Sequence, residues 1–75
     1  MEFNVLRKVT AAVLGMDTDE IEPGMDFVSD LGADSLDLYQ IFTGVEDELG
    51  VTIPPGEVEH VKTVQDAVAL IKQRM

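Results

Sequence analysis

Apolar side chains recur every three or four residues in three stretches of the chain, which is the pattern of an amphipathic α-helix. The first stretch runs from Phe3 to Leu14, the second from Asp34 to Leu49 and the third from Thr63 to Met75. The apolar residues that share one helix face within these stretches are Leu6, Val9, Val13, Leu38, Ile41, Phe42, Val45, Leu49, Val64, Ala67, Val68 and Ile71. The spacing therefore predicts three amphipathic helices.

Polar residues and a glycine mark the ends of the second and third helices. Asp34 is a good N-cap, and Asp37 lies in the first turn, where the helix dipole favours an acidic residue. Thr63 and Asp66 have the spacing of a capping box at the start of the third stretch. Gly50 directly follows the second stretch and is a typical helix-ending residue. Both helices are therefore expected to begin at capping residues.

A glycine inside the second helix requires an explanation. Gly44 lies in the middle of this stretch, where glycine costs up to about 1 kcal/mol relative to alanine. One reason to keep glycine there is close packing against another element of the fold.

The connections between the helices complete the predicted fold. The segment 15–33 is long and partly apolar, so we expect it to be held against the helices, with a short helical turn at Asp26–Asp30. Val51–Ile53 is expected to be an extended loop, and Glu57–Val61 a short third helix. The chain is thus predicted to be a single all-α domain over residues 1–75, a four-helix bundle with three longer helices and one short helix.

Composition excludes several classes of function. The 75 residues contain no cysteine, which rules out a disulfide scaffold, a zinc–cysteine module and a cysteine nucleophile. Fifteen acidic against five basic residues give a formal net charge of −10, which disfavours binding to nucleic acids and anionic membranes. Neither a signal peptide nor a membrane-spanning apolar run is recognisable. We therefore expect an intact cytoplasmic protein that begins at Met1 and whose partners carry basic patches.

Neither catalysis nor a dedicated metal site is indicated. His60 is the only histidine, and a single histidine rarely makes an active site without further groups. The stretch Asp17–Val28 begins like a calcium-binding loop, but Glu22 stands where that loop needs glycine and Val28 where it needs a bidentate glutamate. The sequence therefore favours a non-catalytic protein without a metal site.

The second helix has the most distinctive surface of the chain. No Lys or Arg occurs between Lys8 and Lys62, and Leu36 and Tyr39 lie close to acidic residues at the start of this helix. An acidic rim around a few apolar side chains is typical of a transient docking surface. Ser35 lies in the same region, and it is interpreted either as a helix cap or as a hydroxyl that another protein modifies.

Residues 31–37, Leu-Gly-Ala-Asp-Ser-Leu-Asp, resemble the attachment-site motif of acyl carrier proteins. Further similarities to this family lie along nearly the whole chain, at Leu14-Gly15, Phe27-Val28, Glu46–Leu49, Ile53-Pro54 and Thr63–Ala67. The resemblance implies the four-helix bundle of that family and a 4′-phosphopantetheine arm that a separate holo-synthase transfers from coenzyme A to Ser35. The thiol at the end of the arm would carry acyl chains as thioesters to successive enzymes.

The resemblance also implies roles for surface and core residues. The residues that would dock basic partner enzymes are Asp34, Leu36, Asp37, Tyr39, Glu46 and Asp47. The residues at positions that line the acyl-chain pocket are Phe27, Ile41, Val45, Ile53, Val58, Val61, Ala67 and Ile71, which are ordinary core when no chain is bound. The implied partners are the holo-synthase, acyl transferases, ketosynthases, reductases and dehydratases, and the carrier is expected to be a monomer.

Some residues depart from the family pattern. Gln40 stands where the family usually has Glu, Tyr39 and Thr43 replace the usual aliphatic or Met residues, and Pro55-Gly56 replaces an acidic pair. None of these positions is expected to touch Ser35. Three functions therefore remain: a free-standing carrier for fatty-acid synthesis, a dedicated carrier for polyketide or other specialised acyl assembly, and an unmodified acidic helical interaction module.

Overall fold

The computed structural model describes residues 2–75 and consists of helices joined by loops. The helices are α1 (Glu2–Leu14), a short 3₁₀ helix (Thr18–Glu20), α2 (Ser35–Leu49), α3 (Pro55–Val58) and α4 (Val64–Arg74). Within the described residues, β-type pairing is limited to an isolated antiparallel bridge between Asp26 and Thr63. The prediction of an all-α fold with three longer helices and one short helix is confirmed. The 3₁₀ helix was not predicted.

Both predicted capping sites lie at helix starts. Asp34 Oδ1 accepts a hydrogen bond from the Asp37 backbone N–H at 2.9 Å, and Asp37 Oδ2 accepts one from the Asp34 N–H at 3.2 Å. At α4, Thr63 Oγ1 accepts from the Asp66 N–H at 3.1 Å, and the Asp66 carboxylate accepts from the Thr63 N–H. Gly50 ends α2 with a φ of 67°, in the left-handed region that favours glycine. Local sequence therefore determines both ends of α2.

The short helix α3 begins earlier than predicted. The expected span was Glu57–Val61, whereas the helix occupies Pro55–Val58. Pro55 lies in the first helical turn, where backbone N–H groups have no acceptor within the helix, so the lack of an N–H in proline costs no hydrogen bond. The fixed φ of proline also suits a helix. Proline therefore starts this helix, and the preceding residues 51–54 form the predicted loop.

The connection between α1 and α2 is held against the start of α4. The Phe27 N–H donates to the Lys62 carbonyl at 3.0 Å, and the Val64 N–H donates to the Met25 carbonyl at 2.9 Å. The expectation that this long segment is fixed to the bundle is thereby confirmed. The expected short helical turn at Asp26–Asp30 is present as a hydrogen-bonded turn over residues 27–31, in which the Asp30 N–H donates to the Asp26 carbonyl at 3.0 Å.

Asp26 organises this turn. Its Oδ1 accepts hydrogen bonds from the backbone N–H groups of Val28 at 2.9 Å and Ser29 at 3.0 Å, and Asp30 Oδ2 accepts from the Asp26 N–H at 2.8 Å. The bonds from Ser29 and then Val28 stabilise the carboxylate, so the pKa of Asp26 is lowered from its ordinary value. The folded connection between α1 and α2 therefore stabilises Asp26 in its charged form.

The core is mainly aliphatic and contains residues from α1, α2, α3 and α4 and from the connection between α1 and α2. Phe27, from the connection, is fully buried and belongs to the same cluster as buried residues of α1, α2 and α4. The apolar residues of this core are Leu6, Ala11, Ile21, Phe27, Ala33, Leu38, Ile41, Phe42, Val45, Ile53, Val58, Val64, Ala67, Leu70 and Ile71. The predicted apolar faces of α2 and α4 therefore point inward, while Val9 and Val13 of α1 are only partly buried.

Gly44 lies where α1 crosses α2. A Cβ atom added to Gly44 would stand 2.7 Å from Val9 Cγ1, which is closer than nonbonded carbon atoms approach. The glycine therefore allows the two helices to pack closely, which confirms the explanation inferred from its mid-helix position.

Candidate functional site

Ser35 is the first residue of α2 and is exposed. The N-cap is Asp34, whose carboxylate receives the Asp37 N–H, so the capping box is complete without the Ser35 side chain. The interpretation of Ser35 as the cap is therefore wrong. Its hydroxyl stands at a helix N-terminus, where a partner can reach it.

The segment before Ser35 is anchored to the core. The Ala33 N–H donates to the Phe27 carbonyl at 2.8 Å, and the side chains of Ala33 and Phe27 are both buried. Gly32 has a φ of 70°, which turns the chain from the 27–31 turn into the start of α2. These contacts present Ser35 on a fixed backbone position although it lies at the end of a long connection.

A cleft of about 320 Å³ opens beside Ser35, between α2 and the end of α3. Its lining residues are Ser35, Leu38, Tyr39, Val58 and Glu59. The Tyr39 hydroxyl donates a hydrogen bond to Glu59 Oε1 at 3.4 Å, which connects α2 to the residue that follows α3. Tyr39, one of the residues that depart from the family pattern, lines the same cleft as Ser35.

The predicted docking residues fall into two groups along α2. Asp34, Leu36, Asp37 and Tyr39 surround Ser35, and Leu36 has an exposed fraction of 65%. Glu46 and Asp47 follow three helical turns later, about 18 Å along the axis at 1.5 Å per residue. The structure thus brings four of the six predicted docking residues together at the start of α2.

Glu46 has a second contact that the sequence did not indicate. It is half-buried, and its Oε2 accepts a hydrogen bond from the Ile53 backbone N–H at 2.7 Å. Asp47, the next residue, is exposed, and Glu48 forms an exposed ion pair with Lys8 at 3.5 Å. Glu46 therefore connects α2 to the loop before α3, in addition to any role at the surface.

The predicted acyl-chain pocket residues form part of the core. Val61 is half-buried. The other residues of this set are buried, namely Phe27, Ile41, Val45, Ile53, Val58, Ala67 and Ile71. Because these side chains already pack against one another, a bound chain would have to displace them.

His60 is exposed and lies at a second cleft, of about 310 Å³, between α3 and α4. Among residues 2–75, no group of three or more His, Cys, Asp or Glu side chains is arranged to hold a metal ion. None of the helices in this described part of the chain has both the length and the apolar character needed to cross a bilayer.

The family described as "Phosphopantetheine attachment site" matches residues 4–71 of the chain. The acyl carrier protein of Nitratidesulfovibrio vulgaris (strain DSM 19637 / Miyazaki F) is 39% identical over 69 residues, which cover 92% of this chain and 91% of that protein. The acyl carrier protein of Lactobacillus acidophilus (strain ATCC 700396 / NCK56 / N2 / NCFM) is 43% identical over 70 residues, 93% of this chain and 88% of that protein. The chain belongs to the acyl carrier protein family.

Acyl carrier proteins are carriers and not catalysts, and their cofactor is 4′-phosphopantetheine. The residues at the start of α2 fit this group. Ser35 offers an exposed hydroxyl for a covalent bond, and the cleft beside it is open to an attached arm. The absence of cysteine from the carrier is compatible with a thiol that the cofactor supplies.

Sequence reasoning missed two residues of the cleft beside Ser35. Leu38 was assigned only to the apolar face of α2, and Glu59 received no role. Tyr39 offered one signal, since a phenol hydroxyl near the core usually requires a hydrogen-bond partner. The partner lies 20 residues further along the chain, and only the fold brings it into contact.

Proposed function

We propose that Ser35 carries the 4′-phosphopantetheine arm and that the protein is a free-standing carrier of acyl intermediates for fatty-acid synthesis. The observation that carries this proposal is the position of Ser35. It is exposed at the first residue of α2, lies outside the capping box and borders a cleft. When bound, the cofactor supplies a thiol on which acyl groups are held as thioesters.

The attachment is a phosphoryl-group transfer to Ser35. The Ser35 hydroxyl oxygen forms a bond to the phosphorus that bears the pantetheine, and the pyrophosphate bond of coenzyme A breaks. Adenosine 3′,5′-bisphosphate leaves, and the hydroxyl proton passes to a base outside the carrier. Ser35 has no histidine or lysine in its cleft, so the holo-synthase and its magnesium ion must supply the base and the charge stabilisation.

We further propose that the arm stays mobile. The N–H of Asp37 already donates to Asp34 Oδ1, and the N–H of Leu38 donates to the Asp34 carbonyl, so neither is free to bind a phosphate. The carboxylates of Asp34 and Asp37 flank Ser35 and repel an anionic phosphodiester. Both effects oppose the attraction of about 0.3–1 kcal/mol that a helix N-terminus offers an anion.

The start of α2 is proposed as the docking surface for partner enzymes, with Asp34, Leu36, Asp37 and Tyr39 around Ser35. The exposed Leu36 supplies apolar contact, and the carboxylates attract basic patches on the partners. The partners would be the holo-synthase, acyl transferases, ketosynthases, reductases and dehydratases. The net charge of −10 opposes self-association, which supports a monomer, and we place the carrier in the cytoplasm with these enzymes.

The acyl chain is proposed to enter the core beneath the cleft. Leu38 and Val58 form the apolar part of the cleft, and both are buried. Ile41 and Val45 of α2, which are among the proposed pocket residues, belong to the same buried cluster as Leu38 and Val58. A chain on Ser35 would therefore pass the Tyr39 and Glu59 side chains at the cleft and then enter apolar surroundings.

A dedicated carrier for polyketide or other specialised acyl assembly is the second candidate. The observation that favours it is Tyr39, whose half-buried phenol introduces a polar group at the mouth of the cleft. Measuring kcat/KM of elongating ketosynthases from both kinds of pathway, each with the loaded carrier as substrate, separates these two candidates. The fatty-acid proposal expects a higher kcat/KM with the fatty-acid enzyme.

Intact mass after incubation with coenzyme A, magnesium and a broad-specificity holo-synthase tests the attachment. The wild type should gain the mass of one phosphopantetheine, and Ser35→Ala should gain none. Ser29→Ala is the matched control, because Ser29 is the other serine of the chain and is also exposed, and this variant should be modified like the wild type. An unmodified wild type, under conditions that modify a known carrier, would leave the acidic interaction module as the function.

A further inference from the structure

Helix α3 is attached to the bundle on two sides by single polar contacts. On the side of α2, the Tyr39 hydroxyl donates to Glu59 Oε1 at 3.4 Å. On the side of α4, Arg74 forms an ion pair with Glu57. Val58 is the buried residue of this short helix. The position of α3 therefore depends on one apolar side chain, on two contacts between partly exposed polar groups and, through the loop before it, on the Glu46–Ile53 hydrogen bond.

A cleft accompanies each of these polar contacts. The cleft on the side of α2 includes Ser35, Tyr39 and Glu59, and the cleft on the side of α4 includes Glu57 but not Ser35. A chain attached to Ser35 therefore meets the Tyr39–Glu59 bond first.

The core behind the cleft has no spare room for a chain. Ile41, Val45, Ala67 and Ile71 all have an exposed fraction of 0%. A chain can enter only if side chains move apart, since protein interiors are close-packed. Parting α2 from α3 separates Tyr39 from Glu59, whereas most contacts of α2 with α1 can remain.

We infer that the Tyr39–Glu59 hydrogen bond is a latch that holds α3 against α2 and limits entry of an acyl chain from Ser35 into the core. Tyr39 is thus a specificity-determining residue, because a chain must be long enough to gain more from burial than the latch loses on opening. This inference rests on the proposed attachment of the arm to Ser35.

The first test uses the unmodified protein. Tyr39→Phe keeps the ring and removes only the donor, and Glu59→Ala removes the acceptor from the other side. A net hydrogen bond of this kind changes an equilibrium by about two- to tenfold. Both variants should therefore speed amide hydrogen exchange at residues 58–61 by about two- to tenfold, with exchange in α1 unchanged. Exchange equal to that of the wild type in both variants would overturn the latch.

The second test uses carriers loaded with acetyl or octanoyl groups and measures thioester cleavage by hydroxylamine. The octanoyl thioester of Tyr39→Phe should react about two- to tenfold more slowly than that of the wild type, because the chain is withdrawn into the core more often. The acetyl thioester, which is too short to be buried, should react equally in both proteins.

Arg74→Met is the matched control, since it removes the donor on the other side of α3 and leaves the residues beside Ser35 unchanged. Its octanoyl thioester should react like that of the wild type. An equal effect of Arg74→Met and Tyr39→Phe would show general loosening of α3 and overturn the latch. Failure of the wild type to accept the arm at Ser35 would overturn the proposed function as well, whereas normal loading without a Tyr39 effect overturns the latch alone.

Discussion

Among the proposed docking residues, Glu46 has a structural contact that leads to a specific prediction. Its Oε2 accepts the Ile53 N–H at 2.7 Å, and Ile53 itself is buried. Asp47, one residue further along α2, is exposed and carries the same charge. Comparing substitutions at these two neighbouring positions therefore distinguishes the effect of the hydrogen bond to Ile53 from the effect of a negative charge that a partner would recognise.

The magnitude follows from the hydrogen bond. Glu46→Ala leaves the Ile53 N–H without its acceptor in a partly buried place, which costs about 1–2 kcal/mol of the free energy of unfolding. In a domain of this size, that loss corresponds to a fall in Tm of about 4–16 °C. Glu46→Gln keeps an acceptor oxygen and should cost less than half as much. Asp47→Ala should lie within about 0.5 kcal/mol of the wild type.

Urea unfolding followed by circular dichroism measures these free energies, and binding to the holo-synthase at low and high salt measures docking. We expect Glu46→Gln and Asp47→Asn to weaken binding alike at low salt, because each removes one negative charge from the same end of α2. Equal unfolding free energies for Glu46→Ala and Asp47→Ala would refute the structural role of Glu46.

Three further predictions concern the stability of the bundle and are checked by urea unfolding. Gly44→Ala should lower the free energy of unfolding of the wild type, because the new Cβ meets Val9. In a Val9→Ala background the same substitution should raise it by up to about 1 kcal/mol through helix propensity. A change of the same sign in both backgrounds would contradict the close contact. Thr10 is fully buried, and its hydroxyl has no hydrogen-bond partner among the described residues. Thr10→Val should therefore raise the free energy of unfolding by about 1 kcal/mol. Thr52 is exposed, and Thr52→Val should not raise it. The lowered pKa of Asp26 stabilises the fold above the unfolded-chain value of 3.8, and this contribution disappears as the pH falls through the lower folded pKa. Asp26→Asn should therefore be less stable than the wild type at pH 7, and the difference should close in acid; a constant difference across this range would exclude titration of Asp26 as its cause.

Local sequence patterns were sufficient to predict the three longer helices. The apolar spacing predicted α1, α2 and α4, and the pairs Asp34–Asp37 and Thr63–Asp66 predicted where α2 and α4 begin. The boundaries of α3 were predicted less well, because a helix of one turn has too few residues to show a period, and the effect of Pro55 depends on its position in that turn.

The candidate attachment residue was also accessible from the sequence. Residues 31–37 pointed to Ser35 through their resemblance to a family motif, and the capping preference of Asp34 indicated which side chain closes the helix end. The sequence left open whether Ser35 itself was the cap, since serine and aspartate both favour that position. The hydrogen bond from Asp37 to Asp34 decided between them.

The sequence alone thus determined the all-α fold class, most helix ends, the acidic surface and the candidate attachment residue Ser35. Each of these depends on local spacing or on side-chain chemistry. Only the tertiary structure decided that Glu46 binds the Ile53 backbone, that Val9 lies over Gly44 and that Tyr39 meets Glu59 beside Ser35. The physical reason is that these contacts join residues from different elements. Their formation depends on how the helices cross, and the crossing is set by the summed burial of the whole core rather than by any one segment.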